Sequence, residues 1–247
     1  NCCTMANIAI AAPKCALVTG GSSGIGRAIC VELGKRGYKV FIQGRNEANL
    51  AKVADEVLSA GGTASIGSGD VGDPDAVSRL YGEATSFFGK HPELLVANAG
   101  VGRFGVLDSV STADFDLSFD TNVKGVFLWL RAALPSMKEA NAGQIVVMSS
   151  VAGLRHSKIA PIYCATKWAL QGMVGSVRED LKGTKVKIGT INPGAVATPW
   201  WVEKERGGKP EPATQVIVLT IVVVDGDVVV VVTVIVVVVV GDGGVSG

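Results

Sequence analysis

Between Lys14 and about Pro212, short apolar runs alternate with helix-length amphipathic segments, and no other feature restricts the fold so strongly. The runs are Ala16-Leu17-Val18, Val40-Phe41-Ile42, Leu94-Leu95-Val96, Ile145-Val146-Val147-Met148 and Val186 to Ile191. Segments such as Glu47 to Ala60, Asp75 to Phe88 and Val123 to Glu139 lie between them. A strand buried on both faces reads as an unbroken apolar run, whereas a helix packed on it keeps one polar side. Their alternation predicts βαβ units on a doubly wound parallel sheet, an α/β fold. No proline-rich linker and no internal repeat interrupts it, so one domain is expected over 14–247, with 1–13 as a lead-in. That lead-in has no charged start and no long apolar stretch, unlike a secretory signal.

Composition narrows the class. The 23 Lys+Arg and 22 Asp+Glu leave a net charge of +1, which argues against nucleic-acid binding through bulk electrostatics. The five cysteines, Cys2, Cys3, Cys15, Cys30 and Cys164, show neither metal-ligand nor disulfide spacing, so a reducing cytoplasm is the simplest setting. The mean hydropathy of +0.38 raises the possibility of a membrane segment. Its source is Val216 to Val240, where 16 Val, 3 Ile and 1 Leu make 20 of 25 residues apolar. Without that tract the apolar share falls to roughly 45%, ordinary for a globular chain. Three readings of the tract stand. A membrane span would need ~20 apolar residues and must bury Asp225 and Asp227. A β segment prone to self-association is the second, and valines standing in for other residues the third. No membrane attachment and no functional residue is taken from it.

The first strand ends in Thr19-Gly20-Gly21-Ser22-Ser23-Gly24-Ile25-Gly26, and a helix follows over Arg27 to Arg36. Glycines there allow a sharp turn and close approach of a pyrophosphate, while the helix N-terminus offers N–H groups and a positive dipole. The spacing Gly-x-x-x-Gly-x-Gly resembles the turn of the short-chain dehydrogenase/reductase family, Rossmann-fold enzymes, over roughly Lys14 to Trp201. The resemblance implies a nicotinamide cofactor held by Gly20, Ser22, Ser23, Gly24, Ile25 and Gly26. In that family an Asp that selects NAD falls about where Gly44 stands, and the next residue is often Arg in NADP users. Arg45 therefore resembles a fork for the 2′-phosphate, and NADP(H) is the cofactor expected. Asp70 and Val71 resemble the pair that meets the adenine. Asn98, Ala99 and Gly100 resemble the family's Asn-Asn-Ala-Gly loop, with Ala97 replacing its first Asn. Asp70 also has the composition of a cap ahead of Asp73-Pro74.

Tyr163-Cys164-Ala165-Thr166-Lys167 puts a tyrosine and a lysine four apart on one helical face. A free tyrosine, with a pKa of about 10, is a poor proton donor and acceptor at neutral pH. A nearby ammonium stabilises the phenolate, and the reading expects Lys167 to lower the Tyr163 pKa. Ser150 ends the buried run at 145–150 and precedes Tyr163 by thirteen residues, the place of the family's catalytic serine. Asn122, in Thr121-Asn122-Val123-Lys124-Gly125, matches the fourth catalytic residue, which by resemblance holds a water in a relay to Lys167. A cap or helix-bending amide is the plainer alternative for it. Lys167 and Tyr163 would also meet the nicotinamide ribose. Pro193, Gly194, Val196 and Thr198 resemble the loop that meets the carboxamide.

The resemblance implies reversible hydride transfer between NADP(H) and a carbonyl or alcohol, with Tyr163 as acid and base and no metal. His91 and His156 supply no ligand set. It further implies a homotetramer or homodimer formed through the helices that begin near Asn122 and Tyr163. Four rivals remain: an NAD(H)-dependent alcohol dehydrogenase, a non-catalytic nucleotide sensor, a tail-anchored enzyme, and an epimerase or dehydratase with Tyr-x-x-x-Lys. The length leaves little room for the substrate domain of the last. Trp200 and Trp201, after the Pro-Gly loop, hint at an apolar substrate.

Overall fold

The structure, a computed structural model of the chain, describes residues 14–194, 196, 198–201, 217–221 and 232–236. The order is β1 (Cys15–Val18), α1 (Gly24–Lys35), β2 (Lys39–Gly44), α2 (Glu47–Ser59), β3 (Thr63–Ser68), α3 (Pro74–Phe88) and β4 (Leu94–Ala97). Then come α4 (Thr112–Phe119), α5 (Gly125–Glu139), β5 (Gly143–Met148), α6 (Pro161–Asp180) and β6 (Val186–Ile191). The six strands form one parallel sheet in the order β3-β2-β1-β4-β5-β6. The chain starts at the centre, winds outward to β3, returns to lay β4 beside β1, and winds out the other way. Where it reverses, the loops after β1 and β4 part and leave a cleft at the carboxyl edge.

Strand alternation sorts the core into two layers. Leu17, Phe41, Leu95, Ile145 and Val147 face α3, α5 and α6, packing on Leu80, Trp129, Met137 and Leu170. Val18, Val40, Ile42, Val96 and Val146 face the opposite way, onto Ile29 and Leu33 of α1 and Leu50 and Val57 of α2. Full burial of such side chains is worth about 1.5–3 kcal/mol each, so both faces of the central strands hold the site's edge in place.

Two departures from the sequence reading have physical reasons. Thr63–Ser68 is a strand although it forms no apolar run. It is the sheet's outer edge, where only partial burial is required. The helix expected from Val123 is preceded by α4, whose N-cap Ser111 accepts from the Asp114 N–H, and by a π-helical turn at Asp120–Lys124. Within the valine-rich tract, β7 (Ile217–Ile221) and β8 (Val232–Val236) pair antiparallel. Among the described residues no helix is long and apolar enough to cross a membrane.

Candidate active site

The glycine turn is fixed by close contact. Gly20 has φ +62°, and a Cβ there would stand 2.8 Å from the Ala99 Cα. A Cβ on Gly26 would stand 2.2 Å from the Gly20 carbonyl oxygen and 2.6 Å from Asn98 Nδ2. Only hydrogen fits at these two places, so the turn can seat α1 directly against the sheet. Asn98 staples it, its Nδ2 donating to the carbonyls of Thr19 at 3.0 Å and Gly20 at 3.2 Å. The Thr19 Oγ1 accepts from the Asn98 and Ala99 N–H groups at 3.0 and 3.1 Å. The loop after β4 is thereby tied to the loop after β1.

A cleft of about 490 Å³ runs along this edge. Its walls include Gly20, Ser22, Ser23, Gly24, Ile25, Arg45, Asp70, Val71, Asn98, Ala99, Gly100, Ser150, Tyr163, Lys167, Pro193, Gly194, Val196 and Thr198. Two residues singled out in the sequence do not line it. Gly26 lies behind the turn, as its contacts require. Asn122 is fully buried in the π-helical turn, where its Oδ1 accepts from the Val101 N–H and its Nδ2 donates to the Val101 carbonyl, both at 2.8 Å. It also donates to Thr166 Oγ1 at 3.1 Å, so its amide joins the loop after β4 to α6. Asp70 accepts from the Gly72 N–H in a tight turn, and Asp73, not Asp70, caps α3.

The N-terminus of α1 opens on the cleft. Ser23 makes no side-chain capping bond there and no acid stands in the first turn, whereas Asn46 caps α2 and Asp73 caps α3. Backbone donors with positive dipole and no carboxylate beside them suit a pyrophosphate. At the end of β2, a Cβ on the buried Gly44 would meet Leu50 Cδ2 at 3.1 Å and Ser22 at 3.3 Å. An acid side chain is thus absent and sterically opposed there. Arg45 beside it is exposed on the cleft wall, and no carboxylate among the described residues pairs with it. The donor set fits a dinucleotide.

Three side chains meet at the other end. Of the serines ending β5, Ser149 donates to the Lys167 carbonyl at 3.2 Å and is used up by α6. Ser150 sits differently: its Oγ accepts from the Ala152 N–H at 3.1 Å and donates to the Pro193 carbonyl at 3.4 Å. Lys167 is 3% exposed, and its Nζ donates to the Met148 carbonyl at 2.8 Å while standing 5.6 Å from the centre of the Tyr163 ring. The expected lowering of the tyrosine pKa is corrected here. Burial of the hydroxyl pushes Tyr163 up to about 12, opposed by the neighbouring Ser150 hydroxyl. Burial also pulls Lys167 down to about 8. Burial destabilises the ammonium itself, so desolvation wins at both groups. Near neutrality the phenol keeps its proton, the state required of a proton donor.

Some lining residues were not singled out in the sequence. Gln43, fully buried, accepts from the Gly20 N–H at 3.3 Å and donates from Nε2 to the Gly69 carbonyl at 2.7 Å. The signal for it was there, a lone amide inside an apolar run. Phe104 and Arg155 also line the cleft, in loops where no pattern marks them.

A glycine-rich turn, an uncapped helix and a Ser-Tyr-Lys group on one edge of a doubly wound sheet define a dinucleotide-type oxidoreductase site. A model of the short chain dehydrogenase family matches residues 14–208, and the chain belongs to that family. It is 35% identical over 192 residues to sepiapterin reductase of Chlorobaculum tepidum, across 75% of this chain and 78% of that protein. A solved short chain dehydrogenase/reductase from Burkholderia phymatum, in complex with NAD, matches with a TM-score of 0.73 and 34% identity. The match covers 76% of this chain and 67% of that one. The alcohol dehydrogenase of the archaeon Thermococcus sibiricus, complexed with 5-hydroxy-NADP, also has a TM-score of 0.73. It is 31% identical, over 80% of each chain.

Proposed function

We propose that the chain is an NADP(H)-dependent reductase of carbonyl compounds, reversible toward the alcohol. The observation that carries this reading is the convergence of Ser150, Tyr163 and Lys167 on the cleft that the glycine turn opens. When bound, the nicotinamide supplies or accepts hydride at its C4. Gly20 and the α1 N-terminus hold the pyrophosphate, Asp70 and Val71 border the adenine, and Arg45 takes the 2′-phosphate through its planar fork. Lys167 and Tyr163 border the nicotinamide ribose, and Pro193, Gly194, Val196 and Thr198 border the carboxamide. Ser150 hydrogen-bonds the substrate oxygen, and Tyr163 delivers its proton to that oxygen as negative charge develops there. Asn122 acts by shaping the helix turn behind Lys167, with the water relay reached from that turn. In the alcohol-oxidising direction Tyr163 must first lose its proton, so alkaline pH favours that direction.

The opposing reading, preference for NAD(H), draws on the NAD complex of the B. phymatum relative. Arg45 and the crowded Gly44 weigh against it. Parallel assays with NADPH and NADH against a panel of aldehydes and ketones decide. Oxidation of NADPH at the higher kcat/KM is expected, and an NADH preference would overturn the cofactor assignment. We further propose a cytoplasmic homo-oligomer, tetramer or dimer, assembled through α5 and α6. In support, Phe127 and Trp168 on those helices are 45% and 44% exposed, large apolar surfaces for an isolated chain. Light scattering on the eluting protein tests this, and a monomer at micromolar concentration would refute it.

A further inference from the structure

Beyond Tyr163, the substrate end of the cleft is walled by aromatic rings. Phe104 meets Trp200 edge-on at 5.8 Å between centroids. Both rings lean on Tyr163, at 6.1 Å and 5.8 Å. The wall is held from behind. Gly105, next to Phe104, donates its N–H to the Ile159 carbonyl at 2.9 Å, and Trp200 packs so tightly over Gly102 that a Cβ there would lie 2.6 Å from its ring. Such a fixed apolar surface favours a flat ring, which gains quadrupole contacts as well as burial.

The same end carries a further cation among the described residues. Arg155, in the loop between Ser150 and Tyr163, is exposed on the cleft wall with no ion-pair partner among the described residues. Lys167 donates to the Met148 carbonyl and is placed by the reductase reading at the nicotinamide ribose, away from the substrate's substituents. Among the described residues the acid lining the cleft is Asp70, which belongs to the far end after β3. A guanidinium on the same cleft as an aromatic wall, with no carboxylate paired to it among the described residues, matches a ligand that is both flat and anionic.

We infer that the substrate is an aromatic carbonyl compound bearing an acidic substituent; this rests on the reductase reading. Its ring lies against the Phe104–Trp200 wall, its carbonyl oxygen reaches Ser150 and Tyr163, and its acid group turns toward Arg155. Recognition is therefore bipartite, and the two parts are separable by chemistry.

Three ketones separate them: 4-acetylbenzoate, its methyl ester, and 4-acetylcyclohexanecarboxylate. Calorimetric titration of each into the full chain saturated with NADP⁺ reads affinity without the differing reactivities of aryl and alkyl ketones. The acid is expected to bind about tenfold tighter than the ester, the size of one charge-assisted contact. The aromatic acid is expected to bind about fivefold tighter than the alicyclic one. Arg155→Gln, at an exposed position that leaves the fold intact, should bring the acid-to-ester ratio close to one. Phe104→Leu should narrow the aromatic-to-alicyclic ratio, and Trp200→Leu supplies the same comparison should that variant fail to fold. An ester that binds as well as the acid, or an Arg155→Gln chain that loses both equally, overturns the inference. NADPH oxidation is then followed with the same ketones. Acid preference in binding, with no oxidation by any of them, supports this recognition and counts against the reductase reading instead. Rapid oxidation with small aliphatic ketones, and no preference for the aromatic acid, overturns the inference and leaves the reductase reading standing.

Discussion

At one end of the cleft the working groups are backbone atoms. Gly20 and Gly26 leave no room for a Cβ, and the α1 N-terminus presents its N–H groups without a side-chain cap. At the other end they are side chains whose protonation the fold has moved, Tyr163 up to about 12 and Lys167 down to about 8. Under the proposed function the first end would grip through shape and dipole, where only glycine fits, and the second would handle protons, where only these titratable groups serve. The contrast of helix starts makes the same point. Asp73 and Asp75 satisfy the first turn of α3, while α1 keeps that place clear of acids. Changes at the glycine end should therefore act on cofactor affinity and fold, and changes at the tyrosine end on turnover.

The largest effect falls at the tyrosine end. Tyr163→Phe keeps the ring and removes the proton, so kcat should drop about 10³-fold, within the span general acid catalysis covers. The NADPH Kd, measured by fluorescence titration, should stay within about threefold, because the ring's packing survives. Equal losses in both quantities would erase the division between the two ends. Next comes Arg45→Asp. Replacing the cation with an acid should lower the NADPH-to-NADH ratio of kcat/KM by about 100-fold, a swing of two charge-assisted contacts, with little change in kcat. An unmoved ratio would take the 2′-phosphate away from Arg45.

Gly26→Ala sharpens the comparison from the structural side. The added methyl meets the Gly20 carbonyl at 2.2 Å, a backbone atom that cannot rotate away. Overpacking of this kind costs about 1–3 kcal/mol, so thermal unfolding should drop by several degrees. The NADPH Kd should rise about tenfold as the turn is forced open, while kcat at saturating cofactor stays close to its former value. A loss confined to kcat would contradict the assignment of Gly26 to the turn's packing.

The fold was legible wherever burial was complete. Leu94–Ala97 forms β4 with all four residues buried, just as its apolar run indicates, and the helix holding Tyr163 and Lys167 runs Pro161–Asp180 with both residues reaching the cleft. Legibility failed where tertiary context overrides pattern. Edge strand β3 needs no apolar run, and the π-helical turn at Asp120–Lys124 leaves no periodic mark. Asn122 was visible as a residue but not as a brace across two loops, because its partners lie 21 and 44 residues away. The tyrosine's pKa direction was the misreading. Spacing put a cation nearby but could not show that burial would outweigh it, nor that the cation's bond would go to Met148. Ser150 was distinguishable from Ser149 by count alone, and the structure supplies the reason in the different partners of the two hydroxyls.

The last test concerns the lysine. Its folded pKa of about 8 lies below the ordinary 10.5, so between those values the unfolded chain binds a proton that the folded chain has released. Stability contributed by this group must then rise with pH across that window, by about 3 kcal/mol in all, and below it the fold bears the full burden of a buried ammonium. Function runs the opposite way. Under the proposed function the charged lysine is the form that assists proton delivery from Tyr163, so carbonyl-reducing kcat/KM should fall as pH climbs through about 8. Wild type and Lys167→Met, melted in parallel from about pH 7 to pH 10, isolate the term, because all other titrations are common to both. The wild type should gain stability relative to the variant as pH rises. A constant difference would mean that Lys167 keeps an ordinary pKa, and the contrast between a shape-based end and a proton-handling end would then rest on Tyr163 alone.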